Sequence, residues 1–290
     1  MVFLDALLDA LKDTAWALPF LFAAYLLMEL LERHSEILAG KLFSKKKYFG
    51  PLIGSALGLI PQCGFSAAMS NLYCGGVIQI GTLIAVFLAT SDEALILMIQ
   101  GAVEGTVQIM PIVWLLLSKF IAGIVFGYIL NFIFRKHEHD KDISDLCQDE
   151  NCGCEESETI WKPAIIHTVK MIIWIFVICL VLNLLIGLVG EETIARWIGG
   201  NFFFQPLLTA LVGLIPNCAV SVLFTQLYIS GSLSFASTVA GLCTGAGLGL
   251  IVLFRMDKNK KECFMALGLL YACGAITGLI LNVFESLILA

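Results

Sequence analysis

Charge is scarce in this chain. Asp, Glu, Lys and Arg supply 14% of the residues and apolar types 59%, where soluble domains run at about 25% and about 45–50%. With a mean hydropathy of +0.92, that balance excludes an ordinary soluble domain and marks an integral membrane protein. Short alternating apolar segments are missing, which excludes an outer-membrane barrel. Basic stripes of the nucleic-acid kind are missing too, so nucleic acid is not a partner. No Walker-type phosphate loop and no nucleophile–base pattern occurs, which argues against an ATP-driven pump and against an enzyme. The start of the chain lacks the positive n-region and small-residue cleavage site of a signal peptide. Residues 2–13 carry Asp5, Asp9 and Lys12 among leucines at helical spacing, and read as an amphipathic helix on the membrane surface. The ten cysteines lie mostly in apolar runs, where a free thiol behaves as a small hydrophobe; they are expected to be reduced.

What is present is a duplication. Gly58-Leu59-Ile60-Pro61-Gln62-Cys63 returns 155 residues later as Gly213-Leu214-Ile215-Pro216-Asn217-Cys218. Residues 51–76 match 206–231 at 11 of 26 positions without a gap, including Ser66/Ser221 and Tyr73/Tyr228. A match of that length at constant offset makes the chain two copies of one unit. In order, the segments are a span at 15–33, a lysine-rich loop at 34–50, a proline-broken segment at 51–74, a span at 77–99, a neutral connection at 100–108 and a span at 109–134. A polar loop at 135–162 follows, then a span at 163–187, a loop at 188–205, a broken segment at 206–229, a span at 232–254, a loop at 255–263 and a span at 264–289. Each broken segment has about 24 residues, too few for two crossings at about 20 each.

Cytoplasmic loops are enriched in Lys and Arg. Loop 34–50 has Lys41, Lys45, Lys46 and Lys47, whereas its counterpart 188–205 has only Arg196; loop 100–108 has none, whereas 255–263 has Arg255, Lys258, Lys260 and Lys261. Opposite orientations of the two copies reconcile these pairs, provided each broken segment returns to the face it left. All basic residues except Lys12, Lys119 and Arg196 then lie at or beside the cytoplasmic face. The expected fold is an all-α membrane protein of two inverted-topology repeats, each with three spanning helices and a re-entrant or broken helical hairpin. The expected domains are 1–134, the cytoplasmic loop 135–162 and 163–290, with loops 34–50, 135–162 and 255–263 on the cytoplasmic side of the inner membrane. Inverted repeats with interrupted helices belong to secondary transporters, whose substrate site lies near the midplane.

The run GLIPQCGFSAAMSNLYCGG, continuing through GTLIAVFLATSDEALILMI, resembles the ten-transmembrane heavy-metal exporter family, whose members are also labelled arsenic efflux proteins or manganese transporters. The resemblance extends to the second GLIPNC and to the central loop, nearly the whole chain. It implies an exporter with ten hydrophobic segments, a count reached when each broken segment is scored as two.

Cys63 and Cys218 each follow a helix-breaking proline by two positions, and thiolates select soft ions. The substrate path is expected to run past Pro61, Gln62, Cys63 and Ser66 and their counterparts Pro216, Asn217, Cys218 and Ser221. Gln62 and Asn217 could equally satisfy backbone groups freed by the prolines, and the thiols could be small residues filling a tight turn. Asp92 and Glu93, after Thr90 and Ser91, sit inside an apolar span. A carboxylate at that depth costs at least ~2.5 kcal/mol and marks an ion or proton path. Lys119 on the next span is either its structural counter-ion or part of the exchange. The second arm of each hairpin turns a helix N-terminus towards the site and favours an anion, while the acids favour a cation; neutral arsenite escapes both arguments. In the central loop, His137, His139, Cys147, Cys152 and Cys154 are ligands suited to a Zn-like metal, without the spacing of a structural finger; the competing reading is a solvated acidic linker.

The leading expectation is a secondary exporter of a heavy metal or metalloid, proton-coupled, working by alternating access around the two Pro-x-Cys breaks. A manganese or other divalent-cation exporter using Asp92 and Glu93 is the alternative, and a membrane-bound metal sensor built on 135–162 is an alternative of another class. No tightly bound cofactor is expected. The partners are the lipid bilayer and a small inorganic ion, with a homodimer left open.

Overall fold

A computed structural model describes the backbone of residues 49–60, 63–90, 92–103, 108–134, 161–189, 204–257 and 259–289, together with Gly105 and part of 7–26. Eleven helices have described bounds: α1 Gly50–Gly58, α2 Cys63–Cys74, α3 Ile80–Ala89, α4 Asp92–Val103, α5 Ile109–Ile133, α6 Trp161–Val189, α7 Gln205–Gly213, α8 Cys218–Ile229, α9 Phe235–Thr244, α10 Leu248–Met256 and α11 Lys260–Leu289. No strand occurs among the described residues. The duplication is structural as well as sequential. Adding 155 to the bounds of α1, α2 and α3 gives the bounds of α7, α8 and α9.

The proline-broken segment of each unit folds as two short helices. Pro51 and Pro206 sit in the first turn of α1 and α7, where the missing N–H would have no partner anyway. Both helices stop just before the next proline, whose ring disfavours helical backbone in the residue ahead of it. At 1.5 Å per residue, the 9-residue and 12-residue helices are about 14 and 18 Å long, roughly half of a ~30 Å hydrocarbon core.

The glycines fix the directions. A methyl on Gly50 would meet Thr82, one on Gly54 would meet Thr82 and Val86, and one on Gly58 would meet Val86 and Ala89. So α1 runs parallel to α3, and the short link 75–79 obliges α2 to double back to the level at which α1 began. The second copy shows the same path through a polar cluster. Gln205, at the start of α7, accepts through Oε1 from Ser234 N–H (3.3 Å) and Ser237 Oγ (3.0 Å) at the start of α9. Gly213, at the end of α7, abuts Gly241 and Thr244 near the end of α9. Both units make the return with one device: Gly76 (φ 71°) and Gly231 (φ 74°) adopt the left-handed conformation that closes a helix end. Val77 N–H then donates to Leu72 and Ser232 N–H to Leu227, both at 2.9 Å.

The long helices close the units. α5 runs antiparallel to α3: Asn131 Oδ1 accepts from Gly81 N–H at 3.0 Å, Gly127 touches Gly81 and Ala85, and Gly123 touches Ala85 and Ser55. α11 repeats this against α9, with Gly278 on Ala236 and Ala240, and Gly274 on Ala240 and Thr244. The units then interlock reciprocally, α2 along α10 and α8 along α4. Every residue of α3 and all of α9 after Phe235 is buried, so these are the innermost helices. α5, α6 and α11 each leave an apolar stripe exposed, for example Trp114, Trp174 and Phe284.

Five stretches are long and apolar enough to cross a membrane: Ile80–Val103, Ile109–Ile133, Ala164–Leu184, Phe235–Met256 and Lys260–Leu287. The protein is a multi-pass helical membrane protein. One expectation needs correction. The spans placed at 77–99 and 232–254 are not continuous helices. α3 stops at Ala89 and Thr90 is extended (ψ 127°) before α4 begins; α9 stops at Thr244, and Gly247 (φ 52°) precedes α10. Of these residues only Gly247 holds a left-handed φ that favours glycine, and each unit carries two chain breaks instead of one. Loops 34–48, 135–160 and 190–203, and with them most of the connecting segments, lie outside the described residues.

Gly213 tests the closeness of this packing, since a Cβ there would lie 2.3 Å from Gly241 O and from Thr244 Oγ1. Gly213→Ala should cost about 1–3 kcal/mol by overpacking. Gly268→Ala, where nothing lies within 4 Å, should be neutral or stabilising by up to ~1 kcal/mol. Thermal unfolding in detergent micelles compares the two.

Candidate functional site

The four breaks gather in one place. Gly58, at the end of α1, lies against Val86 and Ala89, one turn from the end of α3. Gly213, at the end of α7, lies against Thr244, the last residue of α9. Ser66, in the first turn of α2, contacts Gly249 in the first turn of α10, and Ser70 Oγ donates to Gly249 O at 2.7 Å. Ser221, one turn into α8, holds its Oγ 3.7 Å from where a Cβ on Gly245 would stand. The two tips and the two helix breaks are therefore neighbours, and the helices around them are buried.

Lys119 stands at this meeting point. Its side chain is fully buried, and its ammonium donates to Thr90 O, and to Leu242 O at 2.6 Å. These acceptors come from both units, and both are helix-end carbonyls. The last backbone bonds of α3 and α9 are Thr90 N–H to Val86 O and Gly245 N–H to Gly241 O, so the carbonyls beyond them have no partner within their helices. A helix C-terminus carries partial negative charge, and a cation at it is favourable. Residue 274 corresponds to Lys119 at the offset of 155, and it is glycine, set against Thr244. One unit supplies the cation for both.

The tip of the second unit is fully described. Asn217 is the N-cap of α8, its Oδ1 accepting from Ala219 N–H at 2.8 Å, while its Nδ2 donates to Asn183 Oδ1 of α6 at 2.5 Å. Asn217 thus satisfies a backbone N–H at the start of α8 and ties the tip to α6. Cys218 opens α8 and is buried. Pro216 borders a cavity of about 390 Å³ that runs along α10 from Leu214 and Pro216 to Arg255 and Lys260. At its far end Arg255 lies over the Trp174 ring, 5.0 Å from the centroid.

The sequence-derived residues sort as follows. Ser66, Thr90, Lys119, Pro216, Asn217, Cys218 and Ser221 belong to or border the meeting point. Cys63 opens α2, and Asp92 and Glu93 open α4; of these three only the backbone is described. Pro61, Gln62, Ser91 and the loop residues His137, His139, Cys147, Cys152 and Cys154 lie outside the described residues. Acids in the first turn of α4 suit a helix N-terminus. The six cysteines with described side chains are all buried. Gly245, Gly247 and Gly249 inside an apolar span point to a turn or a close helix approach, and mid-span Asn183 points to an interhelical hydrogen bond; what the residues do not show is that the helix stops at Thr244 and that Asn217 is a partner of Asn183.

Paired half-length helices with two interrupted spans, all meeting at one buried cation, define a polytopic membrane protein with a midspan polar centre. The chain belongs to the family described as "Putative, 10TM heavy-metal exporter", which it matches over residues 2–193 and 180–288. Comparison with curated proteins and with solved structures gives no match.

Removing the cap separates the two duties of Asn217. Asn217→Ala should lower stability by about 1–2 kcal/mol through loss of the cap and of its bond to α6. Asn183→Ala spares the cap and should cost less. Thermal unfolding of the two variants in one detergent checks the order.

Proposed function

We propose that the protein is a secondary-active exporter of a heavy metal or metalloid, a transporter and not an enzyme, in which two inverted repeats alternate access to the meeting point of the four breaks. One observation carries this reading: broken backbone from both units converges around fully buried Lys119. Irregular backbone at membrane depth is tolerated only where protein or a water-filled cavity surrounds it, and interrupted helices at a repeat interface are how secondary transporters build a substrate site.

Inversion of the repeats is supported by helix direction. α2 and α10 run the same way: both begin at the Ser66–Gly249 contact, and further along Tyr25 OH donates to Asn71 Oδ1 (3.4 Å) and Met256 Sδ (3.8 Å). α2 returns to the face from which α1 started. α10 completes the span Phe235–Met256 and so ends on the face opposite the one from which α7 started. The two hairpins therefore descend from opposite faces as re-entrant tips. Arg255 and Lys260, at the mouth of the 390 Å³ cavity, then lie on the face of loops 34–50 and 135–162, the basic, cytoplasmic face. That cavity is the access route from the cytoplasm in this conformation. Proton coupling through Asp92 and Glu93 belongs to the same proposal, as does placement in the inner membrane.

For the substrate, Cys63 and Cys218 at the two tips favour thiophilic metals and trivalent arsenic. Manganese export on Asp92 and Glu93 is the second reading, favoured by the position of these acids at the first turn of α4 beside the break. Proteoliposome flux of Mn, Zn, Cd and arsenite decides between them. Cys63→Ser/Cys218→Ser should abolish Cd or arsenite flux on the first reading, and Asp92→Asn should abolish Mn flux with the cysteines dispensable on the second. Undiminished thiophilic flux in the double cysteine variant removes the thiol site. Deleting 137–158 should only weaken flux; complete loss would favour the sensor reading. Single cysteines placed in loops 34–50 and 188–205 should label from opposite faces, and labelling from one face would refute the inversion.

A further inference from the structure

Lys119 does more than occupy space between the units. It fills a position to which both contribute the same chemistry, a carbonyl oxygen at the C-terminal end of the first half of a broken helix. Two such ends turned on one point form a cation cradle, because each adds partial negative charge and an acceptor with no helical partner. The ammonium enters from the side, on α5, a helix that belongs to neither broken span. Thr90 Oγ1 donates to Val86 O at 2.8 Å, and it is the Thr90 carbonyl that receives the ammonium. The counterpart of Lys119 is Gly274, and a Cβ there would meet Thr244 Cγ2 at 2.4 Å. The second unit thus offers no cation at the equivalent position, where a side chain would meet Thr244.

We propose that the carbonyls of Thr90 and Leu242 form a binding site for a free cation, which Lys119 occupies as a tethered surrogate. A cation passing the crossing, whether substrate or coupling ion, takes this position when Lys119 withdraws along α5. The inference rests on the transporter reading and deepens it by assigning the charge class handled at the centre. It also answers the conflicting polarities of the site. Helix N-termini of α2 and α8 stand nearby, but the occupied position is the one framed by C-termini.

Methylammonium is the probe, since it reproduces the end of the lysine side chain. Lys119→Ala, in detergent, should be stabilised saturably by methylammonium chloride, with the unfolding midpoint rising by about 2–4 °C at roughly five times its Kd. Tetramethylammonium chloride at equal ionic strength, with the same charge but no N–H donor, should give no shift. Wild-type protein should respond to neither. If Lys119→Ala does not yield dispersed protein, Lys119→Leu, whose side chain fills the place of the lysine stem and stops short of the carbonyls, takes its place with the same expectation. A flat response to methylammonium in the variant, or equal responses in variant and wild type, overturns the cradle. Flux of Cd or Mn by the wild type is measured on the same preparations. Intact flux with a flat methylammonium response removes the cradle alone; absent flux with a saturable response removes the exporter reading and leaves the site.

Discussion

The buried ammonium of Lys119, shared between carbonyls of two different units, is the contact on which the centre of the molecule depends. Without a cation there, two broken helices would present uncompensated negative ends to each other inside a low-dielectric core, where an unpaired polar group costs most. Neither acceptor would exist without the breaks at 90–91 and 245–247, because a continuous helix consumes its own carbonyls. The breaks and the lysine are therefore one feature. The glycine contacts serve it, since Gly123 and Gly127 let α5 approach α3 closely enough for Lys119 to reach Thr90 one turn further on.

Polar atoms and small residues share the work in the interior. Where helices must lie close, glycine removes the side chain, as at Gly81, Gly213 and Gly278. Where backbone is freed by a turn, a side chain reaches it: Asn217 at the tip of α8, Ser234 at the start of α9, and Gln205 tying α7 to α9. Lipid offers no hydrogen bonds, so each of these groups has to find its partner within the protein. The outer helices α5, α6 and α11 carry the exposed apolar stripes, while their inner faces supply Asn131 to α3, Glu285 to α9, and Lys119 and Asn183 to the centre.

Much of this was legible in the residues. The constant offset of 155 predicted matching elements, and the first three helices of each unit coincide at both ends. The prolines at 61 and 216 predicted segments too short to span, and α1, α2, α7 and α8 are that short. The depth of Lys119 marked it as a centre of interest, and Asp92 and Glu93 were its expected counter-ions, whose side chains lie outside what is described. Two of its acceptors are main-chain carbonyls, which no side-chain pattern announces, and one of them lies 123 residues away in the other unit. The break at 245–247 was obscured for a related reason. Glycines in an apolar run permit either a turn or close packing, and here Gly249 packs against Ser66 and Phe87, while Gly247 two residues earlier turns the chain. Only the paths of α9 and α10 distinguish the two uses.

The pairing of Lys119 with Gly274 bears on how such a molecule could have arisen. An assembly of two identical, separately made halves carries its charges in even numbers, so its crossing would hold two ammonium groups or none. Two would bring like charges together inside the same buried crossing, and none would leave both helix ends bare. Joining the halves in one polypeptide lets them differ in sequence at this position, so that a single ammonium can serve carbonyls of both.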